Sequence, residues 1–348
     1  MIKYGIIGTG GIAKVHAEII NNLSGVCLYG AHDIVDSNLE KFCLDFNTTA
    51  YRDIHDMLSK VDTVIICSPN FCHVDHIVKS LDYSCDVLCE KPLTVNLTES
   101  NIIRSYNNKT NNIKSINLNY RNLAVIKKII TLIENDKIGE IISIHMSFLK
   151  NSAYRRKNFT WRDDGTSKLS SGALGDLGVH LLDLATYITN SQVKVETIKT
   201  KMMTKVKHKS NNLVQVDDHS ETFFITNHGQ HIHIETSKAC EKELCGFHIN
   251  ISGYNGEIKF SSKKGGVIIV SNNNVQEIIP LEDRIYIDPE NEFYGWKDSF
   301  YYTHLNLLEA IKNKKETSIS TFEDGLRAQE VLEHCINSHK QKQYIKQK

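Results

Sequence analysis

Short apolar runs alternate with amphipathic stretches along the first third of the chain. Ile2 to Ile7 is an apolar run that stops at glycines, and Ile12 to Ile20 then carries apolar residues at helical spacing. Further short runs at Val26 to Ala31, Thr63 to Cys67, Val87 to Cys89 and Ile113 to Leu118 read as strands. Helix-like stretches near Asn38 to Asp45, His73 to Leu81 and Leu97 to Tyr106 separate them. Strands alternating with helices predict an α/β, doubly wound parallel sheet covered on both faces.

The pattern changes after about residue 120. Leu123 to Asn135 predicts an amphipathic helix, Gly139 to Leu149 a strand, and Gly172 to Ile188 a Leu-rich helix. From Val193 to Ile279 alternating segments follow one another without helices, at Thr222 to Thr226, His231 to Thr236, Phe247 to Ser252, Glu257 to Ser261 and Val267 to Val270. They predict an open, mainly antiparallel sheet in a C-terminal α/β domain. Two helices, about Trp296 to Lys312 and Phe322 to Asn337, close the chain, and the polar tail Lys340 to Lys348 should fray. The expected division is a dinucleotide-binding domain over 1–120 and a substrate-binding and oligomerisation domain over 121–348.

Composition narrows the function. Among 348 residues, 41 Lys plus Arg balance 41 Asp plus Glu, which argues against a nucleic-acid or membrane-surface partner. No apolar run reaches about 18 residues, the length a bilayer span needs, and no signal segment precedes the first strand. Nine cysteines, an odd number and mostly inside apolar runs, fit a reduced cytoplasmic setting.

The turn after the first strand reads Gly8-Thr9-Gly10-Gly11-Ile12-Ala13. In such a G-x-G-x-x-A turn the first glycine makes the bend, the second admits a pyrophosphate, and the small last residue brings helix and strand together. Asp33 ends the second strand 20 residues after Ala13, placed for the diol of an adenine ribose. No cation stands beside Asp33 for a 2′-phosphate, and Asp36 adds negative charge, so NAD is expected over NADP. Asp36 itself reads as a helix N-cap. Ser68-Pro69-Asn70 with His73, and Glu90-Lys91-Pro92, follow the third and fourth apolar runs, where parallel sheets bind ligands.

These segments, with Gly172-Ala173-Leu174-Gly175-Asp176-Leu177-Gly178-Val179-His180 and Asp183 and the terminal Glu323-Asp324-Gly325, resemble the glucose-fructose oxidoreductase, inositol dehydrogenase and rhizopine-catabolism family over nearly the whole chain. The resemblance implies NAD(P)-dependent oxidation or reduction of a sugar or cyclitol hydroxyl, and a homo-oligomer, dimer or tetramer, formed through the open sheet. It makes Lys91 the catalytic lysine and Asp176 and His180 the acidic and imidazole pair. It puts His73 near the nicotinamide, Asn70 and Ser68 on the cofactor, Glu90 toward the nicotinamide ribose, and leaves Arg121 structural or facing substrate. Chemistry agrees, since a histidine accepts a hydroxyl proton near neutrality and a lysine stabilises the developing alkoxide.

Arg155-Arg156-Lys157 lie in the loop before the Asp176 helix and suit an anionic substrate group. The wording of 68–73, 150–164 and 291–296 resembles most a subgroup acting on glucose 6-phosphate at carbon 3 in kanosamine-type aminosugar biosynthesis. The remaining readings are an enzyme of nucleotide-linked or unphosphorylated sugars or cyclitols, and a non-catalytic dinucleotide or sugar sensor, which the presence of Lys91, Asp176 and His180 disfavours. His231, His233, Cys240, Cys245 and His248 are close in sequence but fit no common zinc spacing, so no metal is expected.

Overall fold

In a computed structural model, every residue is described except 108, 166–171, 266, 273, 274, 282, 283, 291, 347 and 348. Two compact units emerge, one of residues 1–119 with 299–329, the other of 120–298 with 330–348.

The first unit carries β1 (Ile2–Ile7), β2 (Val26–His32), β3 (Thr49–Ala50), β4 (Thr63–Ile66), β5 (Asp86–Cys89) and β6 (Lys114–Ile116). They pair in parallel in the order β3-β2-β1-β4-β5-β6. Helices α1 (Gly11–Asn21), α2 (Asp36–Phe46), α3 (Ile54–Leu58), α4 (His73–Asp82) and α5 (Leu97–Asn107) supply the crossovers. The inner strands read as continuous apolar runs because both faces are covered: every residue of β4 is buried, as are Tyr4, Gly5, Ile6 and Ile7 of β1. The strand order reverses between β1 and β4, and ligands of such sheets bind beyond the carboxyl ends at that point.

The second unit is built on an eight-stranded sheet. Its elements are α6 (Ala124–Glu134), β7 (Ile141–Leu149), α7 (Ser152–Arg155), a π turn over Leu174–Gly178 running into α8 (Val179–Thr189), and β8 (Lys199–Met203). A small ribbon of β9 (His208–Lys209) and β10 (Asn212–Leu213) precedes β11 (His219–Ile225), β12 (His231–Ser237), β13 (Gly246–Gly253), β14 (Gly256–Ser261), β15 (Val267–Asn272) and β16 (Val275–Pro280). The large sheet runs β16-β15-β14-β13-β7-β12-β11-β8, antiparallel except for the parallel β7–β12 pair. Its covered face joins Ile144, Met146, Phe148, Ile234 and Phe247 to Leu177, Leu181 and Leu184 in one core.

Helices α9 (Trp296–Asn313) and α10 (Phe322–Lys346) close the chain. Residues 299–329 belong to the first unit, which the sequence division at 120 did not separate out. Ile116 N–H donates to Ser320 O at 2.9 Å, and Phe322 and Leu326 complete the core beneath β4 and β5. An amphipathic pattern shows that a helix is covered, not which sheet covers it. Helix α10 also continues to Lys346, past the expected end near Asn337; residues 347 and 348 of the tail lie outside the described residues.

Candidate active site

The glycine turn is shaped for a ligand. Gly8 has φ +85°, and a Cβ there would meet Ser68 N at 2.7 Å, so only glycine lets the turn press against the end of β4. A Cβ at Gly10 or Gly11 would instead meet nothing within 4 Å, which leaves a cradle open in front of α1. Gly10 is the N-cap of α1 and no side chain caps the helix, so its first N–H groups point into that cradle. Ile12 lies in this first turn. The turn is held from beneath by Asp33, whose Oδ2 accepts from Thr9 N at 2.7 Å and Thr9 Oγ1 at 2.8 Å while Oδ1 accepts from Val35 N. Asp33 therefore fixes the loop, with lone pairs left for a ribose diol. Asp36 caps nothing; Val35 is the N-cap of α2, and Asp36 pairs with Arg52 at 3.1 Å because its carboxylate lies one position too far into the helix.

At the end of β4, Ser68 Oγ meets His76 Nδ1 at 2.9 Å, and Asn70 Oδ1 is buried without a hydrogen-bond partner. An orphaned amide oxygen beside the cradle fits a bound cofactor's donor. His73 is a strut: Nδ1 lies 2.8 Å from Pro92 O and Nε2 3.0 Å from Ser68 O, tying the two loops together. Burial lowers its pKa.

Glu90 faces inward. Its Oε1 accepts from Asn117 Nδ2 at 2.6 Å and lies 3.0 Å from His16 Nε2, and Oε2 receives Lys91 N at 3.3 Å. Burial alone would raise this carboxyl, but His16, Lys91 and Asn117 outweigh it and hold it below the ordinary value. His16 reaches on to His304 at 2.8 Å. A buried chain from α1 to the residue before Lys91 thus occupies the carboxylate that the sequence directed toward a ribose.

In the second unit, His180 lies flat on Tyr120, with ring centroids 3.9 Å apart and planes 5° from parallel. Arg121 makes a two-pronged bond to Asp183, with Nε donating to Oδ2 at 2.8 Å, and stacks over Tyr187. Arg121 therefore has a structural partner on α8. Asp217 accepts from Gly172 N at 2.7 Å and Leu174 N at 2.8 Å, holding the start of the π turn that carries Asp176.

Asp176 has a partner that the sequence did not suggest. Lys238, buried just past β12, places Nζ 2.9 Å from Asp176 Oδ2 and 3.1 Å from Gly172 O. Burial lowers its pKa, Asp176 and more weakly Asp217 oppose that, and Arg156 adds to the lowering. The three loop cations diverge. Arg156 approaches Asp163 at 3.8 Å, and Asp163 is held by Lys209 at 2.6 Å. Arg162 lies within the electrostatic reach of Asp176, Arg156 and Asp163. Arg155 instead bonds Asn151 and lines a separate cavity, while Lys157 is exposed. Of the three, Arg156 acts electrostatically on Lys238 and Arg162, the two cations that Asp176 also acts on. Among the described residues no group of three or more His, Cys, Asp or Glu could hold a metal ion.

Residues 2–118 match the family model described as an oxidoreductase family NAD-binding Rossmann fold, and 130–346 match its C-terminal alpha/beta domain. The chain belongs to the glucose-fructose oxidoreductase, inositol dehydrogenase and rhizopine-catabolism family. It is an NAD-binding oxidoreductase. The chain is 39% identical to glucose-6-phosphate 3-dehydrogenase of Bacillus subtilis (strain 168) over 334 residues, covering 96% of this chain and 95% of that one. It is 26% identical over 201 residues, 56% of each chain, to myo-inositol 2-dehydrogenase of Thermotoga maritima. Its fold matches an oxidoreductase domain protein from Kribbella flavida with a TM-score of 0.88 at 21% identity, covering 98% of this chain and 97% of that one. A levoglucosan dehydrogenase in complex with NADH matches with a TM-score of 0.87 at 19% identity and the same coverage. No helix among the described residues is long and apolar enough to cross a membrane.

Proposed function

We propose that the protein oxidises the carbon-3 hydroxyl of glucose 6-phosphate, giving the 3-keto sugar phosphate for later transamination in a kanosamine-type route. The similarity to the Bacillus subtilis enzyme over nearly the full length carries the substrate assignment. The cations Arg156, Arg162 and Lys238 around Asp176 support a phosphorylated sugar.

NAD supplies the hydride acceptor; the chain's own groups handle the rest. His180, held flat by Tyr120, takes the hydroxyl proton. Lys91, at the end of β5, stabilises negative charge that develops on the substrate's hydroxyl oxygen. Asp176, tethered by Lys238, orients the sugar through a second hydroxyl. Arg156, with Arg162, holds the phosphate, which narrows the role first given to Arg155, Arg156 and Lys157 together.

The reading includes a cytoplasmic homo-oligomer, dimer or tetramer, closed over the open sheet face. That face carries Phe223 stacked on His233 and His233 stacked on His145, with centroids 4.0 and 4.3 Å apart, and Phe223 is 46% exposed.

The test follows NADH absorbance with purified protein, NAD and glucose 6-phosphate, glucose, myo-inositol or a nucleotide sugar. Turnover should be fastest with glucose 6-phosphate. Faster turnover of an unphosphorylated sugar would remove the phosphate assignment, and NAD binding with no turnover of any substrate would favour a sensor.

A further inference from the structure

Cys240 and Cys245 flank a short turn on the second unit, and their sulfurs lie 3.2 Å apart as free thiols. A disulfide needs S–S of about 2.05 Å, so about 1 Å of approach closes the gap. Cys240 is buried, and both its N–H and its thiol point at Lys150 O, each at 3.3 Å, which fixes it in place. Cys245 is partly exposed and lines a cavity of about 270 Å³ together with Arg155, Lys150, Lys242, Lys263 and Glu290. Lys150 is neutralised there by Glu292 at 2.6 Å, and Arg155, Lys242 and Lys263 leave the cavity cationic. A partly exposed thiol among cations is within reach of a small anionic reagent.

We propose that Cys240 and Cys245 are a redox-active dithiol, oxidised to an intramolecular disulfide by a small anionic disulfide of the glutathione-disulfide class. The Cys245 thiolate attacks one sulfur of the small disulfide; the S–S bond breaks, one thiolate leaves and a mixed disulfide remains on Cys245. Cys240 then loses its proton to solvent and attacks the Cys245 sulfur, expelling the second thiolate. Two protein thiols are oxidised and one small disulfide is reduced to two thiols. The exposed sulfur enters the reaction and the buried one resolves it. Burial first, and then the hydrogen bond and charge of Cys245, together raise the Cys240 thiol to about 12. Capping Cys245 removes this second contribution, so the first step prepares the second. Resolution should speed up with rising pH.

The reduced full-length protein is incubated with glutathione disulfide, its remaining thiols are alkylated, and it is digested with trypsin without reductant. The peptides 239–242 and 243–259 should appear joined through Cys240 and Cys245, two hydrogens lighter than the separate pair, and dithiothreitol should release them. Cys240→Ser should accumulate one glutathione on Cys245, and Cys245→Ser should give neither product. The double variant Lys242→Gln, Lys263→Gln should slow the reaction with glutathione disulfide several-fold more than with neutral hydroxyethyl disulfide. A stable adduct on wild-type Cys245, or cross-links to other cysteines, would overturn the dithiol assignment without need of any variant. Equal slowing with both reagents would overturn the anionic class.

Discussion

The ammonium of Lys238 sits 2.9 Å from the carboxylate of Asp176, the first group buried and the second half exposed. That asymmetry separates stability from function. A buried ammonium costs desolvation, and Asp176 can turn to water once its partner is gone. Lys238→Met should therefore leave the thermal midpoint nearly unchanged while kcat/KM falls by about tenfold or more, the scale of one lost charge-assisted hydrogen bond. Lys238→Arg should recover part of the loss. Unaltered kinetics in the Met variant would remove Lys238 from the site.

The phosphate assignment divides the loop cations. Arg156→Ala should raise KM for glucose 6-phosphate by about tenfold to a hundredfold, corresponding to about 1.5–3 kcal/mol for a hydrogen bond to a charged group, and hardly alter that for glucose. Arg155→Ala, in a different cavity, should change neither. A larger effect from Arg155 would reverse the assignment.

Gly8 and Gly10, two positions apart, should fail differently. Gly8→Ala forces a Cβ to 2.7 Å from Ser68 N at φ +85°, so thermal stability and NAD binding should fall together. Gly10→Ala meets open space, so the midpoint should hold while KM for NAD rises. Calorimetry beside NAD titration separates them, and normal NAD affinity in the Gly10 variant would refute the cradle.

Acid should destabilise the first unit through its histidines. Burial lowers His76 to about 4, and it also lowers His73 and, further, His304. The unfolded chain takes up these protons near about 6.5, whereas the folded His76 refuses its proton until about 4. Its contribution is complete above the unfolded value and is lost as pH falls through this window. Urea midpoints measured from pH 7 to 4 should decline, less steeply in His76→Asn, whose amide can still reach Ser68 Oγ. Parallel curves for the two proteins would contradict this.

The nucleotide end was largely legible because its information is local. The turn from Gly8 to Ala13, the runs that become β1, β2, β4 and β5, and Asp33 need only neighbouring residues to make sense. Glu90 was placed at the right strand end, yet its partners His16 and Asn117 come from 74 and 27 positions away, and no local pattern announces them. Lys238 is hidden for the same reason: it follows β12 as one lysine among many, and only the parallel pairing of β7 with β12 helps to set its position. Strands β8 and β16 escaped because their alternation is weak; none of the six residues of β16 is buried. The π turn was read as ordinary helix, since the remote carboxylate of Asp217 holds its start.

Residues 299–329 complete the first unit after the chain has built most of the second. The gene order is therefore interleaved, and the peptide passes between units at 119/120, 298/299 and 329/330. A fragment ending near 120 would lack Ser320 opposite Ile116, Glu316 opposite Lys114, and Phe322 and Leu326 under the sheet. A single nick at any one crossing leaves two covalent links in place. An independently folding nucleotide-binding half would have to be made as a fusion of 1–119 to 299–329, bridging the gap with a designed linker.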